Sequence, residues 1–140
     1  MVDPDRVHSK LGALEEALRG LREKQDCSLE AYRNDRDRQD IVERRFEKAI
    51  QASIDIAGHI VSTGGFREPE NYGDLFEILK EEGILPGDTA EEMIEMAGFR
   101  NVLVHEYDDI QADRVYEHLQ DPSRFDDFAE EVLTVLDRQE

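Results

Sequence analysis

The apolar positions of the chain recur at helical spacing through most of its length. Valine or leucine occupies positions 7, 11, 14, 18 and 21, which places them along one side of a helix whose other positions are mostly charged. Asp3 followed by Pro4 is a typical helix start, with the carboxylate as N-cap and proline in the first turn. A second long helix is predicted from about Asp40 to Ser62. It carries two apolar stripes, so we expect it to be covered on two sides.

Four further helical segments follow, separated by glycine and proline. They are predicted at about Tyr72–Glu82, Asp88–Tyr107, Ala112–Gln120 and from Phe125 onward. No segment alternates apolar and polar residues with period two, so no strand is expected. The sequence therefore predicts an all-α fold, an up-and-down bundle of four-helix type with additional short helices. Residues 1–140 are long enough to form one domain with its own core.

Segments that would target the chain to a membrane or a secretory pathway are not evident. No apolar stretch approaches the length needed to span a bilayer, and the first residues do not resemble a signal peptide. The single cysteine, Cys27, excludes an intrachain disulfide framework and fits a reducing compartment. We therefore expect a cytoplasmic protein.

The net charge of −18 is the most unusual global property of the chain. Thirteen of its 17 basic residues are arginine, against 35 acidic residues. A surface rich in acids and poor in lysine suits a protein that stays hydrated in concentrated salt, which favours a halophilic source. Such a charge opposes the binding of nucleic acid. In molar salt, however, the Debye length falls to about 3 Å, so the charge does not exclude an RNA ligand.

The helix predicted over 88–107 has one face that stands apart from the core positions. Ile94, Gly98, Asn101 and His105 follow one another at 4-3-4 spacing on that face. A glycine inside a helix costs about 1 kcal/mol relative to alanine, and it allows another backbone to approach closely. We therefore expect Ile94 and Gly98 to face a second copy of the chain in a homodimer.

Candidate chemistry lies at the end of the same helix. Arg100, His105 and Tyr107 form the pattern R-x4-H-x-Y. Histidine titrates near neutral pH and can act as a general acid or base, and arginine offers a planar, permanently charged fork to phosphate oxygens. A structural interpretation is also open, because a histidine near a helix end is often a capping residue and the arginine could belong to a buried ion pair.

The pattern and its surroundings resemble the HepT-like branch of the HEPN superfamily, whose members are small helical ribonuclease toxins. Residues 43–50 and 54–60 resemble the second helix of that family. Tyr72 with the short helix that follows it, the turn at 83–86, residues 98–101 and residues 113–116 also fit. The resemblance covers nearly the whole chain and implies a HEPN-like bundle. It implies catalytic roles for Arg100, Asn101 and His105.

The same resemblance implies a biological setting. HepT-like proteins are toxins of type VII toxin–antitoxin systems, paired with a minimal nucleotidyltransferase (MNT) antitoxin. The implied function is a metal-independent endoribonuclease acting on cellular RNA such as tRNA or mRNA, neutralised by AMPylation of the motif tyrosine, Tyr107. No cofactor is predicted, because the sequence has no glycine-rich phosphate loop, nucleophile elbow or metal-ligand spacing.

Two other functions remain open at this point. The chain could be a non-catalytic, substrate-binding or regulatory helical subunit of a nucleotidyltransferase complex. It could also be a structural helical partner with a decayed active site. Activity on RNA separates the enzyme from both of these, whereas co-purification with a nucleotidyltransferase does not.

Overall fold

The computed structural model describes residues 2–104 and 109–139, and within them every regular element is an α-helix. The helices are α1 (Pro4–Arg22), α2 (Leu29–Arg33), α3 (Arg36–Gly64), α4 (Tyr72–Glu81), α5 (Gly87–Val104), α6 (Asp109–Gln120) and α7 (Ser123–Gln139). Four of them are long and three are short. This confirms the predicted all-α bundle with additional short helices.

Helix α1 begins as the sequence predicts and packs along α3. The Asp3 carboxylate accepts hydrogen bonds from the backbone N–H groups of Asp5 and Arg6, so two of the unpaired donors of the first turn are satisfied. All five apolar seam positions of α1 are buried. The side-chain amide of Gln139 bonds both the N–H and the carbonyl of Val2, at 2.8 and 3.1 Å, which ties the start of α1 to the end of α7.

Helix α3 is longer than predicted because Asp35 caps it. The Asp35 carboxylate accepts from the N–H of Arg38 at 3.0 Å, so the helix begins at Arg36, four residues before the predicted start at Asp40. Its other end is at Gly64, where Gly65 adopts φ = 69° in the left-handed region. Both predicted apolar stripes are buried, which confirms that α3 is covered on two sides.

One pairing that the sequence allows within α3 does not form. The spacing of four residues between Asp55 and His59 would let their side chains pair with each other. Instead, Asp55 pairs with Lys10 of α1 at 3.1 Å, and the ring nitrogen Nε2 of His59 accepts from the backbone N–H of Asp3 at 2.9 Å. Because α1 packs against this side of α3, it offers both side chains a partner that the local spacing could not indicate.

Aromatic side chains fix the position of α5 in the core. Phe99 of α5 is 1% exposed and packs edge-on against Phe46 of α3, with ring centroids 5.5 Å apart. Phe76 of α4 and Phe128 of α7 form a similar pair at 5.5 Å. Arg100 follows Phe99 in α5, so this packing also fixes the position from which the Arg100 side chain extends.

The half-buried His118 gives the bundle a predicted pH dependence. Its ring lies 4.5 Å from that of Phe99, and burial, followed by the nearby charge of Arg124, lowers its pKa. The unfolded chain therefore binds more protons than the folded one near pH 6.5, and stability declines as the pH falls through that range. We expect the free energy of unfolding of the His118→Gln variant to decline less over this pH range than that of the wild type. Urea unfolding of both proteins across pH 5–8 measures this difference, and unfolding free energies that change in parallel with pH would contradict the prediction.

Candidate active site

Arg100 is the one charged residue of the R-x4-H-x-Y pattern whose surroundings the structure describes. It is half-buried, and its guanidinium carbon lies over the ring of Tyr72 in α4, 5.2 Å from the ring centroid. No carboxylate of the described residues forms an ion pair with it. The arginine therefore rests on an aromatic face, and within the described chain its charge has no counter-ion.

A pocket of about 320 Å³ lies beside Arg100, between α3 and α5. Four residues of α3 complete its lining: Arg44, Glu47, Lys48 and Gln51. Arg44 pairs with Glu47 at 3.1 Å, whereas Lys48 is exposed and pairs with no described carboxylate. Three cations thus face one carboxylate here, in a protein whose net charge is −18. Locally, the electrostatics suit an anion of phosphate size.

A larger groove of about 610 Å³ between α1 and α3 shares Lys48 and Gln51 with the first pocket, and its charges are nearly balanced. Lys10 pairs with Asp55 at 3.1 Å and Arg45 with Glu23 at 3.8 Å, and Arg19 and Glu16 also line it. The Arg45 guanidinium donates to the carbonyl of Gly20 at 2.6 Å. A Cβ at Gly20 would lie 2.8 Å from this side chain, so the glycine allows Arg45 to lie across α1. Sequence reasoning did not single out these α3 cations, although their i, i+4 spacing at 44 and 48 indicates a shared face.

The face predicted to meet a second subunit is open in the described protomer. Gly98 and Asn101 are exposed and Ile94 is half-buried. A Cβ built at Gly98 would find no atom within 4 Å outside its own helical turn. Nothing in the described part of the protomer therefore explains the glycine. The assignment of Ile94 and Gly98 to a dimer contact, and of Asn101 to the catalytic group, stays a prediction.

His105 and Tyr107 lie outside the described residues, so their distances to Arg100 are not part of this geometry. Within residues 2–104 and 109–139, no group of three or more His, Cys, Asp or Glu side chains is arranged to hold a metal ion. None of the described helices is long and apolar enough to cross a membrane.

Comparison with known proteins places this geometry in context. The model of the ribonuclease HepT-like family matches residues 14–135. A protein of Aphanizomenon flos-aquae described as tRNA nuclease HepT is 33% identical over 118 residues, covering 82% of this chain and 78% of that protein. The mRNA nuclease HepT of Shewanella oneidensis is 29% identical over 100 residues, covering 69% of this chain and 75% of that protein.

Solved structures share the helical architecture. A crystal structure of a toxin–antitoxin pair superposes with a TM-score of 0.85, with 22% identity over 93% of this chain and 98% of that chain. A tri-AMPylated HEPN toxin of Shewanella oneidensis in complex with an MNT antitoxin superposes with a TM-score of 0.81. It is 23% identical over 94% of this chain and 96% of that chain. At this level of identity the superpositions establish the shared fold.

Proposed function

Because the chain belongs to the ribonuclease HepT-like family, we propose that it is a metal-independent endoribonuclease that cleaves cellular RNA. The observation that carries the proposal is the family match over residues 14–135, since the whole R-x4-H-x-Y pattern lies inside it. The two relatives described above are named for tRNA and mRNA cleavage, and either class is a candidate substrate. The cationic pocket at Arg100 supports the proposal, because it offers a phosphate site on an otherwise acidic protein.

The proposed chemistry needs three events at one phosphodiester. The ribose 2′-hydroxyl loses a proton and attacks the adjacent phosphorus, and the departing 5′ oxygen gains a proton. His105 is the proposed general acid or base, since an imidazole can hold or release a proton near neutral pH. Arg100 binds the phosphate oxygens and stabilises the additional negative charge of the transition state. Asn101 orients the phosphate from the next position of α5.

A homodimer would complete this site. One chain supplies one motif histidine, whereas the reaction is easiest with both an acid and a base. A symmetric pair that brings two α5 helices together at Gly98 would place two histidines and two arginines in one cleft. The open space around Gly98 supports this arrangement, because a second backbone can approach there without displacing any described group of the protomer.

The dimer is tested by filling that space. We expect Gly98→Leu to fold normally, because its Cβ meets no described group of the protomer, but to sediment as a monomer and lose RNA cleavage. Gly12→Leu is the matched control, since Gly12 is also an exposed helical glycine with no neighbour at its Cβ. Sedimentation velocity of both variants gives the result. A dimeric and fully active Gly98→Leu protein would exclude the proposed contact.

We further propose that the protein is the toxin of a type VII toxin–antitoxin system and is neutralised by AMPylation of Tyr107. The HEPN toxin of Shewanella oneidensis is AMPylated and bound to an MNT antitoxin in its solved structure. A bulky anion on Tyr107, seven residues after Arg100, would occupy the phosphate site and repel RNA.

Neutralisation by AMPylation predicts a specific covalent modification of the protein. Incubation with the cognate nucleotidyltransferase and ATP is expected to add AMP to the protein and abolish its RNA cleavage, whereas Tyr107→Phe stays unmodified and active. Intact-mass measurement and a cleavage assay on the same samples follow both effects. Wild-type protein that stays unmodified after this incubation would contradict the proposed neutralisation by AMPylation.

The function as a whole is tested by cleavage of total cellular RNA with purified protein whose intact mass shows no modification. The assay contains a chelator and concentrated salt, in which the acidic surface would keep a cytoplasmic protein of a halophile hydrated. Cleavage with 2′,3′-cyclic phosphate ends supports the proposed 2′-hydroxyl attack. RNA that is bound but stays intact favours the alternative, a non-catalytic subunit of a nucleotidyltransferase complex.

A further inference from the structure

We propose that Tyr72 is a stacking platform for a nucleobase of the RNA substrate, next to the phosphate that Arg100 binds. The inference rests on the proposed ribonuclease function and adds a second contact to the same site. Single-stranded RNA is commonly recognised by stacking its unpaired bases on aromatic side chains. An exposed aromatic ring in contact with a phosphate-binding arginine fits that kind of recognition.

Tyr72 is exposed to an extent that the packing of the bundle does not require. It is 49% exposed, and the other large exposed apolar side chains of the described chain, Ile41 and Leu133, are aliphatic. It is the first residue of α4, three positions before Leu75, the first buried residue of that helix. A tyrosine that only filled space in the core would be covered on its faces, as Tyr32 is at 0% exposure.

The backbone that carries Tyr72 is held firmly. The side chain of Asn71 accepts from the N–H of Asp74 at 2.8 Å and caps α4. Arg67 donates to both carboxylate oxygens of Asp74, at 2.7 and 2.8 Å, and also bonds Glu81. These contacts fix the start of α4, so the backbone that carries the ring is in place before any ligand arrives. Such preorganisation lowers the entropy lost on binding.

Arg100 and Tyr72 together match the two chemical parts of a nucleotide. The guanidinium lies over the tyrosine ring, 5.2 Å from its centroid, and a guanidinium in that position keeps N–H donors along its edge. Those donors suit the charged phosphate, and the remaining surface of the ring suits the flat, uncharged base. Because the two side chains touch, phosphate and base would be bound side by side.

A pocket of about 390 Å³ adjoins the ring and has the chemistry of a base site. Pro69, Tyr72 and Leu75 line it together with Glu70 and Asn71, and its exposed surface is almost wholly apolar. An apolar surface suits the flat, uncharged base and offers no donors to a second phosphate. The difference in polarity therefore assigns this pocket to the base and the cationic pocket beside Lys48 to the backbone.

Binding of RNA that cannot be cleaved tests the platform separately from catalysis. The probe is a short single-stranded 2′-O-methyl RNA of mixed sequence, which lacks the attacking hydroxyl. We expect Tyr72→Ala to bind it about 10-fold more weakly, since loss of one base–aromatic stack costs about 1–3 kcal/mol. Tyr72→Phe retains the ring and is expected to bind like the wild type. Leu133→Ala removes a similarly exposed apolar side chain on α7 and is the matched control.

Two further readouts separate stacking from a structural role of Tyr72. An abasic residue placed at each position of the probe in turn should weaken wild-type binding at one position, and Tyr72→Ala should be insensitive there. The loss of probe affinity caused by Tyr72→Ala should persist in concentrated salt. The loss of probe affinity caused by Arg100→Ala should become smaller, because salt screens the phosphate contact. Additive effects of the abasic residue and Tyr72→Ala at every position would overturn the platform.

Failure of this inference differs from failure of the proposed function. If the wild type cleaves RNA through His105 and Tyr72→Ala binds the probe equally well, the platform is wrong and the ribonuclease stands. If the wild type neither binds nor cleaves RNA, the proposed function itself fails. Normal probe binding together with lost dimerisation, or lost capture of the nucleotidyltransferase, in Tyr72→Ala would instead assign the ring to a protein interface and overturn the inference.

Discussion

Replacing His105 by alanine is expected to reduce RNA cleavage by about 100- to 10,000-fold, the range that a positioned general acid or base contributes. The effect should appear in kcat, because the imidazole moves a proton in the reaction and is not the main binding group. Binding of an uncleavable RNA should change little. Single-turnover cleavage with enzyme in excess over RNA measures the chemical step directly.

The matched control for this variant is His8→Ala. His8 lies on the exposed side of α1, away from the pattern at the end of α5, and its removal is expected to leave the cleavage rate unchanged. The two proteins carry the same substitution and lose the same titratable group. Retention of full cleavage in His105→Ala, with the His8 variant as reference, would exclude His105 from the chemistry.

Loss of the Arg100 guanidinium is expected to lower kcat/KM by about 100- to 1000-fold. A positioned donor that binds developing negative charge contributes on this scale, and a guanidinium also contributes to ground-state phosphate binding. Arg100→Lys should recover only part of the loss, because an ammonium keeps the charge and loses the planar fork. Cleavage rates over a range of RNA concentrations separate the effects on KM and kcat.

Arg138→Ala controls for the change in net charge that accompanies Arg100→Ala. Arg138 is exposed near the end of α7 and forms no ion pair with a described carboxylate. Both variants take the protein one unit further negative, so an electrostatic effect at long range would appear in each. Equal losses in the two variants would mean that Arg100 acts through the total charge, and the proposed phosphate contact would then be wrong.

The long helices were predictable because their apolar spacing repeats over many residues. The seam of α1 and the two stripes of α3 are buried as the spacing indicates, and Phe125 and Phe128 of α7 are 1% and 0% exposed. Each of these positions is determined by a pattern that local sequence carries in full. A pattern of this kind does not depend on which other helix covers the apolar face.

Contacts between distant segments were not predictable in the same way. Arg33, the last residue of α2, donates to the Asp113 carboxylate at 2.7 Å across 80 residues of sequence. Asp55 takes Lys10 of another helix in place of His59 of its own. Each acidic side chain has many possible basic partners in a chain with 37% charged residues. Helix packing determines which partner each acidic side chain meets, and the spacing of residues within one helix gives no information about that packing.

The residues of the candidate site also differ in whether the sequence alone indicates them. Arg100 is indicated by its spacing to His105 and Tyr107, because all three lie in one short stretch of sequence. Its neighbours Lys48 and Tyr72 come from α3 and α4, and they meet it only because Phe99 packs against Phe46 and fixes α5 there. A single sequence shows the spacing within one segment, but it does not show which residues of other helices pack beside that segment.

The aromatic support of Arg100 has a consequence for the energetics of phosphate capture. An arginine held by a carboxylate must exchange one anion for another when its substrate arrives, and the displaced carboxylate must be resolvated. Tyr72 supports the guanidinium through its ring and carries no charge that an incoming phosphate has to displace. Among the described residues, no carboxylate has to be displaced from Arg100 when a phosphate binds, which lowers the reorganisation free energy of that step. With no counter-ion among the described residues, the Arg100 charge is left to interact with the ligand, even on a protein as acidic as this one.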